Sequence, residues 1–204
     1  MPVPETLLFD LQAIPRSRPV ALLMRHSHRF PITDPAHNKQ IGLTLEGLQQ
    51  ATQLGSLLGE TFTAGRLYSS PVGRCVDTAN AIARGANWPV HASPHFILSH
   101  DHIESLWDAF AVGQMDASYP LQVTDILAFL LDFGRSSPGL DILVTHDTIL
   151  CMLVGYLLGQ PTLGEYWPAY LEGVFFWEEE GLICARWRGK TYELAAIPAN
   201  QVHL

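Results

Sequence analysis

Val20-Ala21-Leu22-Leu23-Met24-Arg25-His26-Ser27-His28-Arg29 is the stretch from which the fold can be read. Five apolar residues run without polar alternation, and five polar or charged residues follow. An unbroken apolar run of this length predicts a strand buried on both faces, as in the parallel sheet of an α/β protein. In open α/β sheets, ligands bind beyond the C-terminal ends of the strands. Here that end carries two arginines and two histidines. Arginine is costly to bury without an anionic partner. The cluster therefore predicts an anion site, with His26 as a candidate nucleophile.

Working outward, the strand-then-polar pattern occurs twice more. Arg66-Leu67-Tyr68-Ser69-Ser70 reads as a short strand ending in hydroxyls, with Pro71 in the first turn of a helix and Ser70 as its N-cap. Asp141-Ile142-Leu143-Val144-Thr145 reads as a buried strand ending at His146-Asp147, and an almost wholly apolar helix follows to Gly159. Parallel strands bring their C-terminal ends to one edge, so Arg25–Arg29, Ser69–Arg74 and Thr145–Asp147 are expected to share one pocket. Its arginines and backbone donors would suit a tetrahedral dianion.

Between these strands, Thr44 opens a helix with Leu45, Leu48, Ala51, Leu54 or Gly55, and Leu58 at helical spacing. The stretch Pro89–Ala92 is a candidate third strand. Val123, Ile126, Leu127 and Leu130 mark a helix ending near Gly134. Gly173–Trp177, Glu178–Gly181 and Leu182–Trp187 form a hairpin with an acidic turn, and an edge strand follows to Leu194. The first nineteen residues read as a tail or short helix, without the basic and apolar regions of a signal peptide. The fold expected is α/β: a three-layer sandwich with a central, mostly parallel sheet flanked by helices. Residues 1–204 are read as a single domain with a short cap insertion at about 93–120.

Composition narrows the function. The 204 residues are 48% hydrophobic and 16% charged, which is globular rather than disordered. Twelve Lys and Arg against 20 Asp and Glu give a net charge of −8, which argues against a nucleic-acid partner. Lys39 and Lys190 are the lysines among those twelve; the other ten are arginines, whose planar fork suits phosphate. No apolar run reaches the ~20 residues of a membrane span. Cys75, Cys151 and Cys184 lack metal-site spacing and read as buried free thiols, so a reducing, cytoplasmic setting is expected. His91, His95, His100 and His102 are not matched by cysteine ligands or a metal motif, and no metal site or cofactor is assigned. Oligomeric state is left open.

Four ordered motifs then resemble the histidine phosphatase superfamily, also called phosphoglycerate-mutase-like. Arg25-His26-Ser27 is similar to its Arg-His-Gly. Ser70-Pro71-Val72-Gly73-Arg74-Cys75-Val76-Asp77-Thr78-Ala79 is similar to its Ser-Pro-x-x-Arg-x-x-x-Thr-Ala. Leu43-Thr44-Leu45-Glu46-Gly47-Leu48-Gln49-Gln50-Ala51 is similar to its Leu-Thr-x-x-Gly-x-x-Gln-Ala, and His146 to its late histidine.

The resemblance implies a phosphatase acting on phosphomonoesters through a phosphohistidine at His26, with a small phosphorylated substrate or inorganic phosphate as ligand. It implies that Arg25, Arg29, Arg74 and His146 hold the phosphoryl oxygens. Two carboxyls compete as general acid. Asp147 resembles the His-Asp pair of the acid-phosphatase and phytase branch, and Glu104 falls where the smaller mutase-like branch carries its glutamate. Asp147 is preferred, because Arg29 also copies the Arg-His-Gly-x-Arg form of the Asp-using branch. Ser27 stands where the family has Gly, and its Cβ would crowd the loop if φ were positive. Ser27, His28 and Glu104 are further candidate substrate contacts. A phosphomutase using the same nucleophile and a non-catalytic phospho-ligand binder are the alternatives.

Overall fold

The computed structural model describes residues 3–102, 107, 110, 125–130, 138–158 and 166–194. Along the described chain run α1 (Glu5–Leu11), β1 (Pro19–Arg25), α2 (Leu45–Gly59), β2 (Ala64–Ser69), α3 (Gly73–Gly85), β3 (Ser93–Pro94), β4 (Gly139–Thr145), α4 (Asp147–Leu158), β5 (Gly173–Glu179), β6 (Leu182–Trp187) and β7 (Lys190–Leu194). Residues 125–130 are also helical. The strands form one seven-stranded sheet in the order β3-β2-β4-β1-β5-β6-β7. On one side of β1 the pairings are parallel. On the other side, β5, β6 and β7 pair antiparallel, as the hairpin pattern and its edge strand foretold. Glu104, Asp108, Gly113, Val123, Gly134 and Gly159 lie outside the described residues. Among the described residues, no helix is long and apolar enough to cross a membrane.

The opening run is the centre of this sheet. Val20 to Met24 are each no more than 1% exposed. Side chains alternate across a strand, so Val20, Leu22 and Met24 face one core with Ala51, Leu54, Leu58, Ala79 and Ile82 of α2 and α3. Ala21 and Leu23 face the other core with Ile149, Leu150 and Leu153 of α4. That two-sided demand is why the run has no polar residue, and it makes the three layers.

Thr44 caps α2 as expected, its Oγ1 accepting from the Gly47 amide at 3.0 Å. Leu45, however, is 72% exposed. With ~100° between successive helical residues, it points about 150° away from the face centred on Ala51, Leu54 and Leu58. The helices α2 and α3 approach backbone to backbone at two glycines. A Cβ on Gly55 would collide with the Ile82 carbonyl, and one on Gly85 with the Thr52 carbonyl. Gly85→Ala is expected to destabilise by roughly 1–3 kcal/mol, because main chain cannot yield as a side chain can. A urea unfolding midpoint unchanged from wild type would contradict this.

Two expectations need correction. The third strand is Ser93–Pro94 rather than Pro89–Ala92. Pro89 has no N–H for a ladder, and the Ala92 amide donates instead to Asn80 Oδ1 at 2.9 Å. Nor does Ser70 cap α3. The helix begins at Gly73, with Val72 at the N-cap and no side-chain cap bond. Ser70 Oγ accepts from the Val72 amide at 3.4 Å, ahead of the helix, and lies 2.9 Å from His146 Nε2.

Candidate active site

The parallel register aligns the three polar strand ends. Arg25 lies opposite Thr145, and Ser69 opposite Val144. The His26 amide donates to the Thr145 carbonyl at 3.0 Å, and the Ser70 amide to the Val144 carbonyl at 2.8 Å. Arg25, His26, Arg74, His146 and Asp147 are thereby brought together.

His26 is 2% exposed and its ring is fixed at both nitrogens. Nδ1 lies 2.8 Å from the Ser27 carbonyl, which can only accept, so Nδ1 carries the proton. Nε2 accepts from Arg74 Nε at 3.1 Å, so it presents a lone pair. Burial holds the pKa of His26 well below the ordinary histidine range. The Ser27 carbonyl opposes that shift, and His146, Arg74 and Arg25 add to it. The result is a neutral imidazole whose unprotonated nitrogen faces the arginine cluster, the form a nucleophilic histidine requires.

Arg74, in the first turn of α3, is the hub. Its Nη1 donates to the Asn38 carbonyl at 2.7 Å, and its Nη2 lies 3.4 Å from His146 Nδ1. A guanidinium only donates, so His146 accepts at Nδ1 and donates from Nε2 to Ser70 Oγ. Burial, reinforced by Arg74, pushes the pKa of His146 down to about 3. Beneath it Cys75 is fully buried and its pKa is raised to about 12, so it stays an unreactive thiol.

Arg25 is held at its edges and its face. Nη1 donates to the Pro168 carbonyl at 2.8 Å, and Nη2 is 2.7 Å from Asp147 Oδ2. Its Cζ lies 4.1 Å from the centre of the Tyr170 ring. Its buried Nε has no hydrogen-bond partner among the described residues. A buried donor left unpaired is costly, and a phosphoryl oxygen would satisfy it. Asp147 uses its other oxygen to accept from the Thr148 amide at 3.0 Å.

Ser27 fits where the family has glycine. The positive-φ residues described outside glycine are Asn87, Leu171, Glu180 and Arg188, and Ser27 is not among them. Its hydroxyl donates to the Gly47 carbonyl at 2.7 Å, and its amide to Thr78 Oγ1 at 3.0 Å. The serine thus ties the loop to α2 rather than crowding it. Gly47 itself must lack a Cβ, which would strike the His28 carbonyl. His28 pairs with Thr44 Oγ1 at 2.9 Å and sets its ring edge against Tyr170, 5.1 Å between centroids. Arg29 stands at the margin. Its Nη1 donates to the Phe30 carbonyl, and its charge helps to lower the pKa of Arg74. Of the upstream histidines, His95 stacks on Phe129 and His100 lies 3.1 Å from Thr148 Oγ1.

Residues 22–97 match the sequence model of the histidine phosphatase superfamily, branch 1. Over that stretch, a little over a third of the chain, the sequence is similar to that superfamily. The chain is also similar in fold to solved structures. A phosphoserine phosphatase mutant from Entamoeba histolytica, in complex with phosphoserine, aligns at TM-score 0.58 and 18% identity, over 82% of this chain and 94% of that one. A phosphoglycerate mutase from Bacillus anthracis str. Sterne aligns at 0.55 and 15%, over 89% and 94%. The ecdysone phosphate phosphatase from Bombix mori, in complex with tungstate, aligns at 0.53 and 15%, over 79% and 90%. No curated protein matches by sequence. At these identities the structural likeness is one of fold.

Sequence reasoning missed Tyr170, Pro168 and Asn38. Two of these act through a backbone carbonyl, which every residue has. Tyr170 lies in an irregular stretch before β5 without periodicity to single it out. Thr78, by contrast, was legible within the Ser-Pro-x-x-Arg-x-x-x-Thr motif.

Proposed function

We propose that the protein hydrolyses phosphomonoesters through a phosphohistidine on Nε2 of His26. The observation that carries this reading is the lone pair of His26 Nε2, set against Arg74, in a site where the buried Arg25 Nε has no partner among the described residues. Phosphoryl transfer is chiefly positioning and charge stabilisation. Arg25, Arg74 and His146 receive the phosphoryl oxygens, with Arg29 adding charge at the margin. An anionic oxygen is a stronger acceptor than a neutral imidazole, so the arriving phosphoryl group draws Arg74 Nε–H away and frees Nε2. That nitrogen attacks phosphorus as the P–O ester bond breaks. Asp147, as the carboxylic acid, gives its proton to the leaving alkoxide. Its carboxylate then takes a proton from the water that cleaves the P–N bond, releasing phosphate and restoring His26.

Trapping tests the nucleophile. Quenching with labelled aryl phosphate at the steady state is expected to leave label on the protein that survives alkali and is lost in acid. Full turnover with no such label would remove the covalent reading, and return of the label to substrate alcohols rather than water would make the enzyme a mutase. The acid is tested separately. Asp147→Asn is expected to slow alkyl phosphates by about 10²-fold or more while sparing esters of acidic phenols, whose leaving groups need no proton. The same leaving-group dependence on Glu104→Gln instead would transfer the role to Glu104.

A further inference from the structure

Opposite Asp147, the turn 168–172 supplies the rest of the cradle of Arg25. Pro168 provides the carbonyl for Nη1, and Tyr170 the ring over the guanidinium. The Glu172 carbonyl accepts from the Arg25 amide at 2.9 Å, and the Leu171 amide donates to the His26 carbonyl at 3.4 Å. This turn is not a relaxed one. Leu171, 1% exposed, has φ of 61°, a left-handed conformation that a leucine adopts only when its surroundings impose it.

Glu172 follows directly, only 2% exposed. Its carboxylate is almost wholly buried, so it needs charged or hydrogen-bonding partners. Arg188 supplies a fork, Nε to Oε1 at 2.7 Å and Nη2 to Oε2 at 3.0 Å. The same Nη2 donates to the Trp167 carbonyl at 3.1 Å, and the Ala169 amide donates to Glu172 Oε2 at 2.8 Å. Both ends of the turn are thus tied to one ion pair. Arg188 is itself left-handed, with φ of 46°. One end of the ion pair, Arg188, is thus left-handed, and the other, Glu172, directly follows the left-handed Leu171.

We propose that Glu172 and Arg188 are positioning residues: through the turn 168–172 they hold the guanidinium of Arg25 in place for a phosphoryl oxygen. This rests on the reading of Arg25 as a phosphoryl ligand. The rival is a purely structural tie, for Glu172 also accepts from Thr6 Oγ1 of α1 at 3.3 Å.

Three readouts separate them. In wild type the buried Arg25 Nε–H should give a slowly exchanging signal in a spectrum of arginine side chains, assigned through Arg25→Lys. Glu172→Gln keeps the side-chain shape and an acceptor for Ala169 but removes the charge that holds Arg188. It is expected to speed exchange of that proton at least about tenfold, because exchange reports local opening, and to weaken binding of inorganic phosphate about tenfold. Arg188→Lys, a partly exposed site, should act in the same direction and carries the test if Glu172→Gln does not fold. In an Arg25→Lys background either change should leave phosphate affinity unaltered, since coupled residues do not add. An unchanged Arg25 signal in a folded variant, or an equal affinity loss in the Arg25→Lys background, would overturn the proposal. If the signal responds but wild type binds no phosphate, the positioning role stands and the phosphoryl-site reading falls.

Discussion

His26→Ala is expected to lower turnover of a generic aryl phosphate by about 10³-fold or more, because it removes the attacking atom rather than a binding contact. The phosphoenzyme signal should vanish with it. Removing the imidazole also leaves Arg74 Nε–H without its acceptor, so some loss of stability is expected as well. His26→Asn keeps a polar side chain in the site and controls for that: it should be as inactive as the alanine variant while unfolding closer to wild type. Phosphate binding should survive in both, since Arg25, Arg74 and His146 remain. Turnover close to wild type in either folded variant would end the case for nucleophilic catalysis by His26.

The second large effect concerns acid. His26 and His146 are both buried as neutral imidazoles, with His146 brought down to about 3. In the unfolded chain each titrates near the ordinary value of 6.5. Between about pH 6.5 and 3 the unfolded state therefore binds more protons than the native state, and stability falls as pH falls through that window. Each unit of pKa difference corresponds to about 1.4 kcal/mol. His146 alone is thus a several-kcal/mol liability by the bottom of the window, against a typical total of ~5–15 kcal/mol. Urea midpoints measured from pH 7.5 down to 4.5 should drop steeply below about pH 6.5. His146→Gln should flatten the curve, since it removes one of the two groups. Inorganic phosphate should flatten it too, because an anion against His146 favours the imidazolium. A flat wild-type curve over this range would contradict the burial of both rings as neutral groups.

Most of the surroundings of His26 were legible because their chemistry lies in side chains at fixed spacings. Val20–Met24 demanded a strand buried on two sides, and the polar residues after it had to emerge at a sheet edge. Arg74 and Thr78 sit one helical turn apart, so a single helix start delivers both to the loop at Ser27. Ser27 was harder. Its residue type says nothing of φ, so only the backbone could decide whether its Cβ crowds the loop. Ser70 was read as a helix cap because Ser before Pro usually is one. The alternative, a hydroxyl spent on His146, depends on a residue 76 positions away.

The sequence by itself determined the sheet's central strand, the alternation of its two cores, and the meeting of Arg25, His26, Arg74 and His146 at one edge. These follow from hydrophobic period and from the direction of parallel strands, both local or topological properties. Only the tertiary structure decided the state of those groups. The protonated nitrogen of His26 follows from the Ser27 carbonyl and Arg74. That Arg25 Nε is left unpartnered among the described residues follows from a cradle built by Asp147, Pro168 and Tyr170. The turn that carries Pro168 and Tyr170 is itself tied, through Glu172, to Arg188 of the turn between β6 and β7. Hydrogen-bond partners and burial are set by residues distant in the chain, and no spacing rule encodes them.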